Sequence, residues 1–128
     1  MGKVILVLAT AMWCATAAAD WTYVGASKNF SMYAETSTIR RSGDMVKMWS
    51  VSDYKEVRTQ GRYSVRSQKS QQEFDCKEER VRTLFWAWFS ENMGAGEHVH
   101  SNANPDPWIP IGPGTFDEIL WKIACRKE

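Results

Sequence analysis

Apolar and polar positions alternate in short runs along most of this chain, and change to a helical rhythm only near its end. Trp21 to Val24 and Phe30 to Ala34 read as short aromatic-rich strands, separated by Gly25-Ala26-Ser27-Lys28-Asn29. Ser42-Gly43-Asp44 marks a turn into a third strand, Met45 to Val51. Asp53 to Gly61 is polar and charged, which predicts a loop or a short helix. Tyr63 to Cys76 is polar with scattered β-formers and suits a partly exposed strand. Lys77-Glu78-Glu79 then turns into the strongest strand signal, Arg80 to Phe89. Strict alternation puts Val81, Thr83, Phe85, Ala87 and Phe89 on one side of it, with Arg80, Arg82, Leu84, Trp86 and Trp88 on the other. Met93 to Gly96 is a turn, and Asn104 to Gly114 holds all four prolines, so it reads as a stiff irregular connector. Thr115-Phe116-Asp117-Glu118 matches a capping box, and Phe116, Ile119, Leu120, Ile123 and Ala124 recur on one side of the helix it opens.

Ahead of this pattern stands a different one. Lys3, an apolar run from Val4 to Trp13 and a small-residue site ending at Ala19 make residues 1–19 a secretory signal peptide. The competing reading is a retained anchor, although the run is short of the roughly 20 residues a spanning helix needs. Cys14 follows the bulky Trp13, which does not fit a lipid-attachment signal. Residues 20–128 then form one domain, exported to the periplasm or secreted, with no membrane span after cleavage. Cleavage removes Lys3 alone among the charged residues, leaving 15 basic and 15 acidic groups. That balance argues against a nucleic-acid partner, which would call for a basic excess. It leaves Cys76 and Cys125, read in an oxidising compartment as one disulfide, with two free thiols as the competing view. Closing so long a loop would contribute about 4 kcal/mol in the chain-entropy model. With 44% hydrophobic residues the chain can bury a core of its own, so the bridge would reinforce that core.

Candidate chemistry is sparse. His98 and His100 are the two histidines, and on an extended segment both would point the same way, roughly 6 to 7 Å apart. That spacing would suit a metal or haem; a solvent-facing pair is the plainer alternative. Ser101, His100 and Asp106 can be assembled into a triad only on paper, for no nucleophile elbow surrounds them. Gly94-Ala95-Gly96 lacks the residues of a phosphate loop, and no motif calls for a cofactor or marks an enzyme. Arg58, Arg62 and Arg66, with Lys69, form a basic stripe for an acidic partner, or else a solvated face balanced by Glu56, Glu73 and Asp75. The mixture of Arg80, Arg82, Trp86 and Trp88 on one side of the strongest strand is the leading candidate for a protein contact, including self-association as a homodimer. The alternative is a core covered by the helix. Asn29-Phe30-Ser31 matches a glycosylation sequon, and Pro107 to Pro113 contains two P-x-x-P matches; neither carries weight in this setting.

Taken in order, several short motifs resemble the bacterial surface-adhesin protein E family. They are Tyr63 to Lys69, Glu73-Phe74-Asp75-Cys76, Arg80 to Leu84, Met93 to Glu97, Pro107 to Thr115, and the closing Ile123-Ala124-Cys125. Trp21, Tyr33 and the Met48-Trp49 strand extend the similarity over nearly all of residues 20–128. The resemblance implies an α+β fold: an antiparallel sheet of about six strands with a C-terminal helix tied on by the disulfide. It also implies adhesion, with extracellular-matrix or other host proteins as partners. The missing lipid-attachment cysteine is a departure from the family's anchored, surface-displayed form. The second expectation is a periplasmic accessory or small-ligand or haem-binding protein that uses the sheet–helix interface as a pocket.

Overall fold

In a computed structural model, residues 21–126 are described; the leader assigned to residues 1–19, with Cys14, lies outside them. The alternation is realised in long antiparallel strands: β1 (Trp21–Ala26), β2 (Phe30–Ser42), β3 (Met45–Gln60), β4 (Tyr63–Asp75) and β5 (Arg80–Phe89). Shorter strands β6 (His98–Asn102) and β7 (Ile109–Pro110) follow, then one helix, α1 (Phe116–Cys125). Strands β1 to β6 lie side by side in chain order, and β7 pairs with the start of β5. Hairpin connections alone can build such a meander, and tight turns at Gly43 and Gly61 supply two of them.

Both β2 and β3 run well past the segments expected from local composition. Asp53 to Gly61, expected as a loop or short helix, is instead the distal part of β3. Its backbone pairs with β2 as far as Tyr54 opposite Phe30, and resumes with β4 at Arg58 opposite Val65. Pairing outranks the weak local preference of a polar run. Past Phe30 there is no β2 left to pair with, so the ends of β3 and β4 project as a two-stranded ribbon. Between β2 and β3 a second irregularity expels residues 36–39. There the Thr38 hydroxyl donates to Glu35 O at 2.6 Å and accepts the Trp49 N–H at 2.9 Å, replacing the ladder.

Helix α1 packs over β1–β4. Beneath it Ala34, Val46, Met48, Phe74 and Val81 are buried against Leu120, Trp121, Ala124 and Cys125. The cap is as expected: the Thr115 hydroxyl accepts the Glu118 N–H at 3.2 Å. The buried stripe is not. Ile119 is 40% exposed, and Trp121 takes an inward place instead. The indole N–H of Trp121 donates to Asp75 O at 3.0 Å, and Cys125 is bonded to Cys76 at a Cα–Cα distance of 5.7 Å. These two ties set the roll of the helix, a tertiary choice that amphipathic spacing does not specify.

The opposite face of the sheet also has a buried patch, Val51, Val65, Ser67 and Ala87. The β5–β6 connection folds back over it. Ser67 Oγ donates to Glu91 O at 2.6 Å and accepts the Gly94 N–H at 2.8 Å, while Asp53 takes Met93 N–H at 2.8 Å and Asn92 Nδ2 at 3.0 Å. Gly94 has φ +72°, and a Cβ there would stand 2.6 Å from Lys69 Cδ, so only glycine lets the loop lie this close.

Candidate binding surface on the outer strands

Opposed residues of an antiparallel pair point to the same face, so the register of β4 and β5 decides what their side chains can form. Asp75, Phe74, Glu73 and Gln72 oppose Arg80, Val81, Arg82 and Thr83, but Gln71 opposes Phe85. Leu84 is therefore an extra residue, and the facing of every later side chain is reversed. Strict alternation predicts that Arg80 and Arg82 share a face with Trp86 and Trp88, and the bulge overturns that. The tryptophans stand on the helix side of the sheet with Phe74 and Val81, and the arginines on the other.

On the arginine side the site is a charge-paired stack. Arg80 Nε meets Asp75 Oδ2 at 3.0 Å, and Arg82 Nη2 meets Glu73 Oε1 at 2.7 Å. The Trp108 ring lies 4.6 Å from each guanidinium carbon, held by both arginines. Asp75 is buried, which works to raise its pKa. The Glu78 N–H, the Arg80 guanidinium and the Lys77 N–H together outweigh that and hold it below the usual carboxylate range. Trp108 was legible only as part of a stiff connector, since nothing local links position 108 to positions 80 and 82.

The tryptophan side carries an aromatic shelf. Trp86 and Trp88 have centroids 4.9 Å apart, and Trp88 Nε1 donates to Gln68 Oε1 at 3.0 Å. His100 joins them from β6, 5.5 and 5.3 Å from the two indoles. Tyr63 stacks on His100 at 5.6 Å and 16°, and the Arg62 guanidinium lies 5.3 Å from the Tyr63 ring centre. The tryptophans and Tyr63 are half-buried and His100 is exposed.

A bulge also separates the histidines. His100 opposes Trp88 and His98 opposes Phe89, with Val99 as the extra residue. The two imidazoles point to opposite faces, His98 toward Phe89 at 5.8 Å, and do not converge as even spacing predicts. No group of three His, Cys, Asp or Glu placed to hold a metal occurs among the described residues. Ser101 and His100, being adjacent on a strand, likewise turn away from one another. The basic stripe divides too: Arg58 opposes Val65, so Arg66 faces the other way. Glu73 and Asp75, expected to balance that stripe, are committed to Arg82 and Arg80. Lys69 leaves the stripe altogether and places its ammonium 5.7 and 5.6 Å from the Trp21 and Trp49 rings.

The fold has counterparts among known proteins. Two crystal structures of Haemophilus influenzae protein E superpose on the chain, one in crystal form II and one from a non-typeable strain. The first has a TM-score of 0.66 at 15% identity, covering 81% of this chain and 87% of that one. The second has a TM-score of 0.60 at 16% identity, covering 81% and 75%. Identities this low establish a common fold. Among curated proteins no sequence match is found. The family model described as surface-adhesin protein E matches residues 21–126, the whole of the sheet, the disulfide and the helix just described. By that match the chain belongs to the surface-adhesin protein E family.

Proposed function

We propose that this protein is an exported, non-enzymatic adhesin that holds a protein partner, a host matrix protein foremost, on the aromatic shelf of Tyr63, Trp86, Trp88 and His100. The observation that carries this reading is a cluster of four rings, each touching at least two of the others, partly open to solvent on the sheet face beyond the helix. Rigid aromatic side chains contribute large contact area at low entropic cost, and tryptophan is enriched at binding hot spots. Family membership supports adhesion as the role. The alternative pocket between sheet and helix has little room, because Met48, Phe74, Leu120 and Trp121 fill that interface. A groove of about 290 Å³ remains at its margin, beside Gln72, Thr83, Asp106 and Asp117.

The test is solid-phase binding of the purified protein to immobilised matrix proteins, wild type against Trp86→Ser/Trp88→Ser. Binding should fall at least tenfold while near-ultraviolet circular dichroism and the disulfide are retained. Unchanged binding by a folded double variant would move the contact elsewhere. Surface protease sensitivity against release by osmotic shock separates display from periplasmic residence.

A further inference from the structure

Near the projecting end of the sheet, the β1–β2 turn meets a wide bulge in β3. From Asp53 to Arg58 β3 advances five residues while β4 advances two, from Ser67 to Val65. The residues between bow outward and are clamped to the turn: Lys55 N–H donates to Asn29 O at 2.9 Å and Lys55 Nζ to Ser27 O at 2.8 Å. Bulges of this kind re-aim side chains, often beside functional sites. Here they leave a depression of about 440 Å³ lined by Lys28, Asn29, Lys55, Glu56, Val57 and Arg58. Its three cations are exposed, and among the described residues none of them is ion-paired. The Arg58 guanidinium lies 4.9 Å from the Tyr54 ring centre, which fixes its position.

We propose that this depression is an anion site that takes the sulfate groups of a sulfated glycan. Three cations facing one carboxylate give a local positive excess on a chain whose overall charge is close to balanced. A guanidinium and two ammonium groups match a tetrahedral oxyanion, the guanidinium through paired N–H donors. The volume is that of a small-ligand site, so it would take one sulfated unit of a glycan and not its length. An acidic peptide would gain affinity by pairing its backbone, and two of the backbone groups at this bulge are already taken. The Lys55 N–H is given to Asn29, and the Tyr54 carbonyl accepts Asn92 Nδ2 at 3.3 Å. The exposed, unpaired cations make charge the basis of recognition, which favours a ligand dense in permanently ionised groups. This site shares no residue with the aromatic shelf, so the two proposals stand or fall independently.

The experiment measures binding of the purified protein to a heparin-derived octasaccharide at low salt by calorimetry. Controls are the same octasaccharide chemically desulfated, a glutamate octapeptide and a short DNA duplex. Lys28→Gln/Arg58→Gln should weaken octasaccharide binding at least tenfold. Lys47→Gln/Arg66→Gln, an equal charge change at exposed positions outside the depression, should change it less than twofold. Near-ultraviolet circular dichroism confirms that each variant is folded. Equal loss in both pairs, or no loss in the first, overturns the site. Equal binding of the desulfated octasaccharide, the peptide or the duplex overturns the assignment to sulfated glycan.

Discussion

Asp75 shows how much one side chain can organise. Its carboxylate caps the turn after β4, pairs with Arg80 and so helps to seat Trp108, while its carbonyl accepts the Trp121 indole. Replacement by alanine leaves two turn N–H groups and a guanidinium without their partner. It should cost about 3 kcal/mol in urea denaturation. The same group sets a pH dependence. Its folded pKa is depressed, so its contribution to stability is complete above the unfolded carboxyl value near about 4 and is lost as pH falls through the folded value. The denaturation midpoint should therefore drop in acid below about pH 4, and less steeply in Asp75→Asn. A second residue-scale expectation concerns Gly94. Alanine there meets both a positive φ and the Lys69 stem, and should destabilise by about 2 kcal/mol, with faster hydrogen exchange in residues 90–97.

At the scale of elements, most strands and the helix were legible, because alternation and a capping box are local signals. Turns at Ser42–Asp44 and Lys77–Glu79 fall where their residues suggested. What escaped were the irregularities. A single extra residue, Leu84, parts the arginines from the tryptophans, and Val99 parts the histidines. Neither residue type marks a bulge; the register is decided by what the neighbouring strands offer, Gln71 and Gln72 in one case and Trp88 and Phe89 in the other. The distal half of β3 escaped for the same reason, its order coming from partners and not from composition. Deleting Leu84 should leave a regular β4–β5 ladder with Trp86 and Trp88 still on the helix side, because Thr83 and Phe85 already oppose the neighbouring residues Gln72 and Gln71. Retention of the Trp86–Trp88 exciton signal in circular dichroism would report it; loss of the signal would show that the pairing of β5 beyond Thr83 depends on the bulge.

For the molecule as a whole, two faces of one sheet are closed by different means. The helix covers one, held by the Cys76–Cys125 bond, and a folded-back loop covers part of the other through Ser67 and Asp53. Replacing both cysteines by alanine should lower stability by about 4 kcal/mol, read as a shifted denaturation midpoint. The loss should be concentrated in the helix, since the sheet retains its own ladders and Phe74–Met48 packing.

The bond also determines how a pull would travel. Cys125 is the last residue of α1, and Cys76 directly follows β4, a strand flanked on both sides. Tension applied at the C-terminal end thus bypasses the helix and enters the middle of the sheet across sulfur. In the oxidised protein a stretching experiment from that end should show no early step from the helix peeling away, and reduction should introduce one.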